Sequence, residues 1–385
     1  MTLMLCSWAN QWKMSFNSEP NKQATEVLFS TKKKQPLHPP LYFNGTIVFK
    51  SNSHKHLGVI LDPKLSFNHH INEKINKANK LVGTLKYLSN YISTVSLITI
   101  YKSFVRPHFD YADIVYHIPH SINVSDSLLN LNSLMEKIER VQYQAALAIT
   151  GCWQGSSKTK LYKQLGWESL SERRWAHRLC QIFKMTHGLT PSYLTRLLPT
   201  ERNIQLRNQP RYHEIRCNTN RYKNSFLPDA IKSYNSIGID ISSSVSLPIF
   251  KSKIFKLIRP SFKSTYGLFD PFGIKYLYQL RVGFSPLKFY KKRHNFANTP
   301  SDICDCHADV EDVAHYLHYC TFYNIQRSIL FAKSRNILSN YNLLHLITDV
   351  DFYLYGHQSL SPFDNKEILA STIKFIKDSK RFSPS

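Results

Sequence analysis

"KHLGVILDPKLSFNHHINEKINKANKLVGTLKYL", residues 55–88, changes its hydrophobic period partway along. Its first part, "KHLGVILD" (55–62), is apolar almost throughout, so it reads as a strand buried on both faces and ended by Pro63. From Phe67 to Tyr91 the apolar residues recur every three or four positions. Ile71, Ile75, Ala78, Val82, Leu85 and Leu88 fall on one side of a helix, and Lys74, Lys77 and Lys80 fall elsewhere. Strand handing over to helix predicts an α+β class, and outward from this stretch helix predominates.

Toward the N-terminus, "EVLFS" (26–30) and "LYFNGTIVF" (41–49) read as strands, the second turning at Asn44-Gly45. They predict a small antiparallel β element. "MTLMLCSWANQWKM" (1–14) reads as an amphipathic helix, with Met4, Trp8 and Trp12 at four-residue spacing. Toward the C-terminus, "TVSLITIYKSFVRP" (94–107) predicts a helix capped by Ser93 or Thr94 and kinked or ended by Pro107. A third helix runs from about Leu134 to Ile149, with Met135, Ile138, Val141, Ala145 and Ile149 inward and Gly151 as its stop. A fourth spans 171–188, and "LPIFKSKIFKLIRP" (247–260) gives another. The expected organisation is mostly helical: 1–66 with the strands, 67–199 a helical bundle, 200–265 a basic arm, and 266–385 a small C-terminal Cys/His module.

Charge narrows the function. The 385 residues carry a formal net charge of +24, and a polyanion would relieve that self-repulsion. The excess is steep in 200–265, where twelve Lys/Arg face four Asp/Glu. No run of about 18 apolar residues exists, so no spanning helix is expected. The start lacks the basic flank and cleavage site of a secretory signal. Seven cysteines, mostly isolated, fit a reducing compartment, with Cys6, Cys152, Cys180 and Cys217 as small buried hydrophobes. An intracellular, nuclear or cytoplasmic protein with no membrane partner is expected.

Several groups carry chemistry. Cys304-x-Cys306-x8-His315-x4-Cys320 offers soft ligands that suit tetrahedral zinc, with His307 and His318 as alternatives. The single residue between the first two cysteines is short for a zinc turn, so a cluster of reduced thiols is the other reading. Lys74, Lys77, Lys80 and Lys86 form a stripe that either contacts phosphate or is a solvated face. Arg207, Arg211, Arg216 and Arg221 interleave with Tyr212 and Tyr222, a mix that suits single-stranded RNA or packs on the helices. Lys55, beside His54 and His56, is a further phosphate candidate, and Gly58 either admits a backbone or packs in the strand. Glycine-rich phosphate loops and nucleophile elbows are missing.

Taken in order, "WKMSFNSEPNKQATEVLFSTK", "HKHLGVILDPKLSFNHHI", "LITIYKSFVRPHFDYADIVY", "ERVQYQAALAITG", "LGWESLSERRWAHRLCQIFKM" and "CDCHADVEDVAHYLHYC" resemble the reverse transcriptases of non-LTR (LINE-type, jockey-like) retrotransposons. The resemblance covers the chain from about Trp8 to the end. It implies the portion after the catalytic turn: end of the palm, thumb, and C-terminal Cys/His region. It further implies RNA, RNA–DNA hybrid and DNA as partners, target-primed reverse transcription as the activity, and magnesium only in the intact enzyme.

Tyr111-Ala112-Asp113 then echoes the polymerase turn by coincidence. Two-metal phosphoryl transfer needs adjacent carboxylates, and Asp113 is followed by Ile114. Asp110 is expected to cap a helix or pair with a cation. No catalytic residue is assigned, and the chain alone is expected to be inactive. A nucleic-acid-binding protein retained by a host, or a relic without a role, is the alternative.

Overall fold

The computed structural model describes all residues except 1, 15–24, 31, 33, 35, 44–45, 118–125, 203–210 and 383–385. The protein is mostly helical, as expected, with little strand. Among the described residues helix α1 (Thr2–Gln11) precedes six short strands, β1 (Thr25–Glu26), β2 (Tyr42–Phe43), β3 (Thr46–Ile47), β4 (Phe49–Lys50), β5 (His54–His56) and β6 (Val59–Leu61). They make three two-stranded ladders: β1 and β4 parallel, β2 with β3 and β5 with β6 antiparallel. The expected Asn44-Gly45 turn lies outside the described residues. Helix α1 forms where its period placed it, but Met4, Trp8 and Trp12 are all exposed.

"KHLGVILD" is not one buried strand. Residues His56 and Val59 pair across a two-residue loop, Leu57-Gly58, so the run folds back on itself as a hairpin. Both loop residues have positive φ, 45° and 81°, as the tightest hairpin turn requires. Glycine tolerates this freely, whereas Leu57 holds it while pointing into solvent. Only Val59 and Ile60 of the run are buried. Gly58 therefore serves the turn. The Tyr111 hydroxyl donates to the Leu57 carbonyl and braces it.

The main core joins helices from both halves of the chain. Helix α2 (Asn68–Leu88) buries Ile71, Ala78, Val82 and Leu85 against α4 (Asp126–Thr150), which buries Met135, Ile138, Val141, Ala145 and Ile149. Both faces are those the periodicity predicted, although α4 begins earlier. Between them lies α3 (Thr94–Ile100), with the Ser93 hydroxyl accepting from the Ser96 N–H. A π turn over Tyr101–Val105 follows, then a single turn, Pro107–Asp110, with proline at its first position. Helices α5 (Lys158–Leu165), α9 (Pro271–Val282), α10 (Asn324–Ser339) and α11 (Pro362–Asp378) complete this core.

Helix α6 (Leu170–Thr186) passes from this core into a second one. It starts with a reciprocal cap, Ser169 with Glu172. Its Ala176, Leu179, Ile182 and Phe183 pack on α7 (Phe226–Ser236) and α8 (Leu247–Ile258) through Ile231, Tyr234, Phe250 and Ile254. The basic arm expected over 200–265 is, from residue 211 to 258, largely folded against α6, and it includes the helix read over 247–260. Packing groups residues 176–258 apart from a core shared by 59–170 and 274–382.

Candidate metal centre and nucleic-acid interface

The Cys/His group is assembled by two turns of unlike kind. Cys304 and Cys306 sit on a tight loop closed by the antiparallel bridge Ile303–Val310 and by the Cys304 N–H donating to the Asp309 carbonyl at 2.9 Å. His315 and Cys320 sit on a π turn, His315–Tyr319. There the Cys320 N–H donates to the His315 carbonyl at 2.8 Å. A bond across five residues brings side chains five apart to the same side, which an ordinary α turn would not.

The result is a convergent donor set. The Cys304 and Cys320 sulfurs are 3.6 Å apart, and Cys306 Sγ lies 3.2 Å from His315 Nε2. All four donor atoms fall within 4.8 Å of one another, so the group could hold a metal ion. Tetrahedral zinc, with sulfur at about 2.3 Å and nitrogen at about 2.0 Å, sets neighbouring donors about 3.5–3.8 Å apart. The observed spacings are close to that. His318 stacks among Phe331 and Tyr353 instead, and His307 is exposed; neither joins the set. Burial pushes the Cys304 thiol up to about 12. Burial acts upward on Cys306 too, but the Ala308 N–H and the neighbouring Cys304 and His315 draw it down to about 6.

Surrounding charges hold both turns, and sequence reading missed them. Glu311 accepts the Lys288 N–H at 2.8 Å and both arms of Arg381. Lys288 and Lys292 pair with Asp305 and Asp302. Arg327 donates to the Leu317 and Cys320 carbonyls. The signal was present: a cationic run at 288–293 precedes an acidic run at 302–312, which has no Lys or Arg of its own.

The cations expected to meet nucleic acid are spread over two surfaces. On α2, Lys80 and Lys86 are exposed, and Lys77 pairs with Glu73 at 2.5 Å. Lys74 is half-buried with its ammonium over the Tyr111 ring, and burial lowers its pKa. Lys55 stands exposed on the nearby hairpin. In the second core Arg216 is exposed, and so are Arg221, which donates to the Lys64 carbonyl, and Tyr222. Arg211 pairs with Glu201 and lies over Tyr212. Tyr212 itself is only 2% exposed, its hydroxyl donating to Glu201, so its ring packs in the core rather than facing solvent. Arg207 lies outside the described residues.

The stretch that echoed a polymerase turn is a structural junction. Asp110 accepts two bonds from Arg173, at 2.7 and 2.8 Å, which is the cation pairing expected for it. Asp113 is buried against His177 at 2.6 Å. Asp110, Asp113 and His177 are close enough to hold a metal. Arg173 already takes both oxygens of Asp110, and a guanidinium there opposes a cation in the same place.

Among the described residues no helix is long and apolar enough to cross a membrane. No protein-family model and no solved structure matches the chain. It is similar to RNA-directed DNA polymerases of Drosophila mobile elements. One is the probable RNA-directed DNA polymerase from transposon X-element of Drosophila melanogaster, 29% identical over 161 residues, 41% of this chain and 16% of that protein. A second, from transposon BS of the same species, is 24% identical over 200 residues, 51% of this chain and 20% of the relative. The RNA-directed DNA polymerase from mobile element jockey of Drosophila funebris is 31% identical over 118 residues, covering 29% and 12%. The matched stretch is thus a fifth or less of each relative's length.

Proposed function

We propose that this chain is the part of a non-LTR retrotransposon RNA-directed DNA polymerase that grips template RNA and primer duplex during target-primed reverse transcription. In this reading it comprises the end of the palm, the thumb and the C-terminal Cys/His region. The observation that carries it is the similarity, over up to half the chain, to such polymerases. The net charge of +24 and the lysines along α2 fit the same role, since cations on one helix face contact phosphates without reading sequence. The Cys/His group supports a structural zinc: four protein donors leave no open position for substrate. Zinc there would pin the loop 302–310 to the π turn that follows it, adding to the short backbone link between them. Polymerisation is not assigned to this chain alone, because Asp110 is bound to Arg173 and Asp113 to His177.

The test is binding of an RNA–DNA hybrid by the protein and by a Lys74→Gln, Lys77→Gln, Lys80→Gln variant. The substitutions should weaken binding about tenfold at low salt and make the salt dependence shallower by about 2–3 phosphate contacts. Unchanged affinity and slope would remove α2 from the interface. Primer extension with magnesium and dNTPs should give no product, and robust product would overturn the inactive reading.

A further inference from the structure

A cavity of about 510 Å³ opens between α4 and the starts of α5 and α6. That volume is in the range of about 300–1,000 Å³ seen for small-molecule sites. Its lining includes Arg174, which is only 2% exposed. The Nε–H donates to His117 Nδ1 at 3.0 Å. His117 is no counter-ion, because burial and the two neighbouring arginines, Arg174 and Arg178, hold its pKa well below the ordinary value. Arg174 Nη1 is buried without a partner, and no carboxylate pairs with this guanidinium among the described residues. Glu139 lines the same cavity, but its oxygens are taken by the Tyr162 hydroxyl and the Leu170 N–H. Asp113 is committed to His177.

Glu139, Asp113 and Asp110 lie near enough to favour its charge, but a buried guanidinium that bonds none of them is costly, and arginine does not escape the cost by losing its proton. A second unsatisfied donor, the Ser156 hydroxyl, lines the same space. Among the described residues the exposed rim carries Arg140 and Lys158 against one acid, Glu136. We infer that this cavity is a binding site for a phosphate group, seated toward Arg174 and Ser156 and approached past Arg140 and Lys158. A free nucleotide and the terminal phosphate of a polynucleotide present the same chemistry.

Thermal unfolding of the whole chain tests this, with inorganic phosphate, AMP, and one oligonucleotide bearing either a 5′-phosphate or a 5′-hydroxyl. Wild type should gain about 3 °C in Tm at saturating ligand. Arg174→Met should abolish the gain, and its Tm without ligand should equal or exceed that of wild type, since an apolar residue replaces an unpaired charge. A gain with phosphate or AMP identifies a free-nucleotide site. A gain only with the 5′-phosphorylated oligonucleotide identifies a strand end. No gain with any phosphate, or the same gain in Arg174→Met, overturns the inference. So does an Arg174→Met protein that unfolds at lower temperature or fails to fold, because Arg174 would then be satisfied by its own chain. Hybrid binding through α2 should be unchanged in this variant, so the two readings fail separately.

Discussion

Replacing Cys320 with serine should release one zinc ion per chain and unfold the region around residues 302–323. The expected effect is large because ligand thiolates, once gathered, couple metal binding to folding. For small zinc modules the apparent binding free energy is on the order of 10 kcal/mol at neutral pH. Here the coupling reaches further. Val313, Tyr316 and Leu317, which flank the ligands, are buried in the main core beside α11. Losing the metal should therefore lower the Tm of the whole protein and raise proteolysis between 302 and 323. Metal analysis by mass spectrometry and a melting curve check this together. A wild-type protein purified without chelator that holds no zinc, or a Cys320→Ser protein of unchanged Tm, would leave the group as packed thiols. Because the ligands must lose protons, zinc affinity should also fall as pH is lowered.

Arg173→Met is expected to cost about 3–5 kcal/mol, the range for removing one partner of a buried ionic group. Arg173 holds Asp110 with two bonds and Glu168 with a third, at 2.8 Å. Arg259, from beyond α8, also donates to Glu168 at 3.0 Å. The network ties the junction after the π turn to the start of α6 and to the end of the second core. Removing Arg173 leaves two carboxylates, one of them 4% exposed, short of their charge-assisted bonds. Burial alone would raise Glu168, yet hydrogen bonds from Arg259 and Arg173 hold it at about 2, below its ordinary 4.5. A depressed carboxylate stabilises the fold fully above about pH 4.5 and loses that contribution as pH falls toward about 2. The gap between wild type and Arg173→Met should narrow over the same window. Urea unfolding at pH 7 reads the main effect, and a difference under about 1 kcal/mol would reduce the network to surface pairing.

Much of the fold was legible because period reports burial. Ile71, Ala78, Val82 and Leu85 on α2, and Met135 through Ile149 on α4, are inward as their spacing requires. The hairpin at Leu57-Gly58 was not legible, because an apolar run of strand length looks alike whether straight or folded. Only the positive φ at Leu57 separates the two, and leucine does not advertise it. The basic arm misled through composition. Arginine and lysine between 202 and 232 hid Ala230, Ile231 and Tyr234, which recur at helical spacing and are fully buried, whereas the helix over 247–260 was read and buries Phe250 and Ile254. Ligand types at the Cys/His group were readable, but the π turn that aligns His315 with Cys320 was not, since its five-residue bond leaves no mark in a 3.6-residue pattern. Arg174 had no signal at all; that no carboxylate among the described residues bonds it is visible only in three dimensions.

A salt titration reads whether this chain grips nucleic acid through its cations. Fluorescence anisotropy of a labelled RNA–DNA hybrid, read between 50 and 200 mM monovalent salt, should give an affinity falling linearly on a log–log plot. With about six or more phosphates neutralised the loss is about a thousandfold or greater. An affinity indifferent to salt, or no binding at 50 mM, would mean that the chain does not hold nucleic acid through its cations.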